Sequence, residues 1–129
     1  MEHQINNYFI PPLFTSCLLI SLFFFLIFKS SRSVVNISFC SIVLSAAVWL
    51  YSYAKAYQIS ESEHSLFWFR IGYVGVNFIS ITMFHFTIEF LKNWKLRRFV
   101  FIAYFYGFIC SFMMLKTSKT YIFLRFEEN

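Results

Sequence analysis

The sequence predicts an all-α membrane protein, a bundle of four transmembrane helices, and three observations carry that prediction. Of its 129 residues, 59% are hydrophobic, 24% aromatic and only 13% charged, against roughly 45–50% apolar and about 25% charged in an ordinary soluble domain. The apolar residues fall into four long runs separated by short basic or polar stretches. The runs lack the two-residue alternation of a membrane β-strand and exceed the roughly 10 residues such a strand needs. Inside lipid every backbone donor and acceptor requires an internal partner, so runs of this length must be helical.

The first helix is expected over residues 10–28, opening at Pro11 and Pro12 and stopped by Lys29. Proline suits the first turn, where its missing N–H has no intrahelical partner to lose. The terminus before it carries Glu2 rather than a positive stretch, and no small-residue cleavage site precedes Lys29, so the segment reads as a retained helix, not a signal peptide. The second helix is expected over 34–54, closed by Lys55 and a polar loop from Gln58 to Ser65. The third, over 66–91, is long and contains Arg70, His85 and Glu89. The fourth, over 99–115, has 17 residues and so covers roughly 26 Å of a hydrocarbon core about 30 Å thick. Residues 116–129 form a mixed tail in which Tyr121–Phe126 is too short to cross.

Orientation follows from the basic residues. Loop one holds Lys29 and Arg32, and loop three holds Lys92, Lys95, Arg97 and Arg98, while the N-terminal tail and loop two hold none. Positive residues favour the cytoplasmic side, which places loops one and three there, in a plasma (inner) membrane protein with its N-terminus outside. Four crossings then leave the C-terminus outside too, with Lys116, Lys119 and Arg125 opposing the trend.

Lipid offers no hydrophobic drive for helix association, so small residues and buried hydrogen bonds must supply it. On helix two, Ser38, Ser41, Ser45 and Ser52 share a face about 60° wide with Trp49. Gly72 and Gly75 on helix three, and Ala103, Gly107 and Ser111 on helix four, offer further points of close approach. At about 100° per residue, Gly75, Phe78, Thr82, His85 and Glu89 form one stripe of helix three. Arg70, Tyr73, Asn77 and Ser80 form a second, roughly a third of a turn away, so this helix is expected to be interior. Arg70 and Glu89 lie near opposite ends and reach the headgroups on extended side chains. His85 is deeper, and its short side chain cannot reach water. Glu89, four residues on, is its expected partner. Its functional reading is a proton- or ligand-sensitive polar spot, and its plain reading a neutral ring satisfied by a neighbouring helix.

Several chemistries are excluded by inspection. Cys17, Cys40 and Cys110 each lie alone in an apolar run, and Glu61, Glu63 and His64 in loop two lack the further ligands zinc needs. There is no phosphate-binding glycine loop, no H-E-x-x-H, no nucleophile elbow and no Asp at all. No enzyme, cofactor or metal site is expected. The formal charge of +5 reports orientation rather than nucleic-acid binding. The expected partners are the lipid bilayer, another membrane protein or a second copy, and a small apolar ligand or peptide.

The run Ser65-Leu-Phe-Trp-Phe-Arg-Ile-Gly-Tyr-Val-Gly75, followed by Phe78-Ile79, Phe84-His85-Phe86 and Phe90-Leu91, resembles the third helix of the N-terminal seven-transmembrane sensor region of bacterial histidine kinases and diguanylate cyclases. Asn36, Phe39 and Trp49 fit its second helix. The resemblance spans residues 10–115, the first four of seven helices, and departs from the pattern at Ser80, where a proline is usual. It implies a sensory role with the N-terminus outside. The expected function is therefore a non-enzymatic membrane sensor or interaction module without an output domain, either truncated, split or acting on a partner. The alternative is a small four-helix transporter acting as a dimer.

Overall fold

A computed structural model describes residues 7–30 and 32–127, with residue 62 and residues 118–127 described by backbone alone. Residues 1–6 of the N-terminal tail and 128–129 of the C-terminal one lie outside it. Four helices follow in order: α1 (Ile10–Lys29), α2 (Val34–Gln58), α3 (Ser62–Phe90) and α4 (Arg97–Glu127), with a short 3-10 turn, Asn7–Phe9, ahead of α1. All four contain a stretch long and apolar enough to cross a membrane, and among the described residues there is no strand. The protein is a multi-pass, all-α membrane protein.

Local chemistry sets the helix ends. Pro11 and Pro12 occupy the first turn of α1, and the Ser30 N–H closes its end on the Leu26 carbonyl at 3.1 Å. Ser33 caps α2, its hydroxyl accepting from the Asn36 N–H at 3.3 Å. α3 ends where Lys92 turns into the left-handed region, φ 51°. There the Lys92 N–H reaches the Glu89 carbonyl and the Asn93 N–H the Ile88 carbonyl, both at 3.2 Å. This is the Schellman pairing, at a position that favours glycine. Hydropathy marks where lipid ends rather than where a helix ends, and the helices accordingly run past their apolar cores. α2 and α3 close toward loop two at Gln58 and Ser62, and α4 continues through the expected tail to Glu127. Past Gly107, α4 meets neither glycine nor proline.

The helices pack as an open row in chain order. α1 meets α2, α2 meets α3, and α3 meets α4, with no contact between α1 and α3, α1 and α4, or α2 and α4 among the described residues. α2 sits inside the row and buries Cys40, Val43, Ala47, Ala54 and Ala56. The edge helices turn their aromatics outward. Phe28 on α1 is 83% exposed and Phe101 on α4 77% exposed, surface that only lipid or another protein can cover without penalty.

Each interface holds a point of close approach or a cross-helix hydrogen bond. Between α1 and α2, the fully buried Ser16 donates to the Ala47 carbonyl at 3.2 Å. Between α2 and α3, Gly75 lies over backbone: a Cβ there would stand 3.1 Å from the Ser45 oxygen and the Trp49 nitrogen. Gly72 faces the Tyr53 ring, and the Ser65 hydroxyl reaches the Ala56 carbonyl at 2.9 Å. The helix-two serines do not bridge. Ser38, Ser41, Ser45 and Ser52 each donate back to the carbonyl four residues earlier on their own helix. They contribute small size rather than a partner.

Candidate functional site

Asn77, His85 and Glu89 of α3 converge on its contact with α4. Asn77 donates through Nδ2 to the Gly107 carbonyl at 3.1 Å and to the Ser111 hydroxyl at 3.3 Å. One turn further, the buried Ile81 packs against Gly107, where a Cβ would overlap its Cδ1. Another turn on, His85 Nδ1 lies 3.2 Å from the Tyr104 hydroxyl, their rings meeting edge to face. At the loop-three end, Glu89 Oε1 stands 3.2 Å from Arg97 Nε and 3.8 Å from His85 Nε2. Residues 77, 81, 85 and 89 thus form a row four apart that crosses residues 97, 104, 107 and 111 of the antiparallel neighbour.

Electrostatics assigns the proton positions along this row. The Glu89 carboxylate, with only 12% of its side chain exposed, favours a proton on His85 Nε2, since a bare nitrogen would present a lone pair to a negative oxygen. Nδ1 is then the acceptor and the Tyr104 hydroxyl donates to it. Glu89 Oε1 is buried and takes no aligned hydrogen bond from either neighbour, so Arg97 holds it by charge and proximity. Beside it, Ile88, Lys92, Asn93, Trp94 and Arg97 help line a partly open cavity of about 30 Å³, more than the roughly 10–15 Å³ a water requires. The result is a line of exchangeable polar groups from the helix interior to the basic loop.

Arg70 stays off this line. It is half-buried and forms no ion pair or hydrogen bond with a described residue. Ala103 is half-buried on α4, whereas Gly107 and Ser111 are buried against α3. In loop two, Glu61 and His64 pair at 2.8 Å with both side chains in solvent. No three potential metal ligands gather among the described residues.

Tyr104 and Arg97 are the partners that sequence reasoning missed. Their signal is faint: Arg97, Tyr104 and Ser111 recur every seven residues, two helical turns apart and therefore on one face. Ser16 gave none, being one hydroxyl in an apolar run.

Comparison with curated proteins and with solved structures finds no match. The family model described as the N-terminal 7TM region of histidine kinase matches residues 12–127, nearly the whole helical row with both its packed serines and its polar line. With four helices long and apolar enough to cross a membrane in place, the chain belongs to that family, the N-terminal 7TM region of histidine kinase.

Proposed function

We propose that the chain is a non-enzymatic sensing or interaction module of the bacterial plasma membrane, with its N-terminus and loop two outside and loops one and three in the cytoplasm. The observation that carries this reading is the polar seam between α3 and α4. Its Asn77, His85 and Glu89 contacts are exchangeable hydrogen bonds and charges, set beside a basic loop. Polar contacts between membrane helices are each worth only about 0.6 kcal/mol on average, so a stimulus that alters one of them can shift how α4 sits on α3. Arg97, which opens α4, joins that shift to loop three.

The family match supports the sensory class, and the Lys and Arg distribution supports the orientation. The output acts through contact with another membrane protein or a second copy. A dimeric transporter gains no support from the geometry. A carrier needs a carboxylate near mid-membrane, and Glu89, which sits one residue before the end of α3, is paired with Arg97.

The test uses spin labels at Thr87 and Phe101, both exposed positions near the loop-three ends of α3 and α4. In reconstituted protein their separation should change between pH 8 and pH 5, and the change should vanish in His85→Phe. A pH response that persists in that variant removes His85 from the mechanism; no response in the wild type removes proton sensing.

A further inference from the structure

Between α1 and α2, at the loop-one end, lies an open groove of about 400 Å³, within the 300–1,000 Å³ typical of small-molecule sites. Phe23, Leu26, Ile37 and Leu44 line its apolar length, and Ser30 and Arg32 stand at its mouth. Leu44 is ten residues into α2, so the groove reaches roughly 15 Å along the helix, about half the hydrocarbon core. That is the depth of one leaflet.

In lipid an apolar groove gains nothing from the hydrophobic effect when an apolar chain enters it, because the chain leaves an equally apolar solvent. Selectivity must come from the mouth. Arg32 is exposed and has no ion pair among the described residues. The described carboxylates lie elsewhere: Glu61 and Glu63 flank loop two at the opposite end of α2, and Glu89 is held by Arg97. The Ser30 hydroxyl accepts from the Asn36 amide, which leaves its own proton to donate. A cation and a hydroxyl donor at headgroup level, above a slot of acyl-chain depth, match a lipid phosphate. Of the described carboxylates, a second copy of the chain would bring only Glu89 to this level, and its own Arg97 already holds that one.

We propose that this groove binds an anionic phospholipid of the leaflet next to loop one, with one acyl chain between α1 and α2 and the phosphate on Arg32 and Ser30. The choice of the cytoplasmic leaflet rests on the orientation given above; the groove itself does not.

The test is photo-crosslinking in nanodiscs with phosphatidylglycerol carrying a diazirine in its acyl chain, and adduct mapping by mass spectrometry. Adducts should concentrate on the segments from Phe23 to Leu26 and from Ile37 to Leu44. One interfacial basic residue contributes about fivefold in affinity. Labelling should therefore fall about fivefold with a phosphatidylcholine probe or in Arg32→Gln, and return in Arg32→Lys. Ser41→Trp, which fills the groove, should abolish these adducts while labelling of the exposed α4 face continues. Equal labelling by both lipids, no effect of Arg32→Gln, an even spread over α1 and α4, or copy-to-copy crosslinks at the groove would each overturn the proposal. Nanodiscs present the same lipid on both faces, so a reversed orientation leaves these results intact and is read separately by terminal reporters.

Discussion

Gly75→Ala isolates a close approach of α3 to the backbone of α2. The added Cβ would lie 3.1 Å from the Ser45 carbonyl oxygen, 3.1 Å from the Trp49 nitrogen and 3.2 Å from the Trp49 Cα. All three are backbone atoms of α2, so no side chain can swing aside and the two helices must separate by a few tenths of an ångström. Overpacking of this kind costs about 1–3 kcal/mol. In water, the roughly 1 kcal/mol that alanine gains over glycine as a helix former would offset part of that. In a membrane the dissociated segments remain helical, so this gain appears on both sides of the equilibrium and cancels. Gly107→Ala is the internal comparison. Its Cβ would strike only the Cδ1 end of Ile81, which can rotate at about 0.5–1.5 kcal/mol. Titration of the micellar protein with SDS, followed by Trp49 fluorescence with Trp68 and Trp94 replaced by Phe, should rank Gly75→Ala as the more destabilising. Equal losses, or a stabilised Gly75→Ala, would refute the backbone contact between α2 and α3.

Four further outcomes are expected. Asn77→Leu removes the amide bridge to Gly107 and Ser111 and should loosen α4 by about 1 kcal/mol, seen as faster disulfide crosslinking between exposed positions on α3 and α4 with no change between α2 and α3. Arg97→Gln strips Glu89 of its cation and should cost about 1 kcal/mol in the same SDS titration, with Glu89→Gln in that background restoring most of it. Ser33→Ala deletes the α2 cap and should cost about 1 kcal/mol, visible as faster hydrogen exchange at Val35 and Asn36. Lys92→Gly relieves the left-handed backbone at φ 51° and should slow thermal inactivation by about 1 kcal/mol of added stability.

Much of the architecture was legible because one physical variable, the cost of charge in hydrocarbon, writes itself directly into the sequence. Lys29 and Lys92 mark edges of apolar runs where α1 and α3 end, while Lys55 closes a run that α2 outlasts by three residues. The end of α4 was not legible by that rule, since Lys116 stops a run without stopping a helix. The site was half legible. The four-residue step from His85 to Glu89 is fixed within one helix, whereas the Tyr104 and Arg97 contacts depend on how far α4 slides along α3, which no single-helix pattern records. Asn77 shows the same limit. On a straight wheel it lies about 80° from His85, yet both meet α4, because a crossing helix follows the row of residues four apart rather than a line parallel to the axis. Ser41 shares a face with Ser45 but opens on the α1–α2 groove, while Ser45 supports Gly75.

The one-after-another arrangement of α1 to α4 has a thermodynamic corollary. Where every helix touches all others, weakening any junction strains the remainder. Here the junctions are linked in series, so losses introduced at the first and last of them should simply sum, as they do for neighbouring units in repeat proteins. Peeling away α1 would leave the seam holding Asn77, His85 and Glu89 with its partners unchanged, and the two terminal faces are free to accept other helices independently of each other.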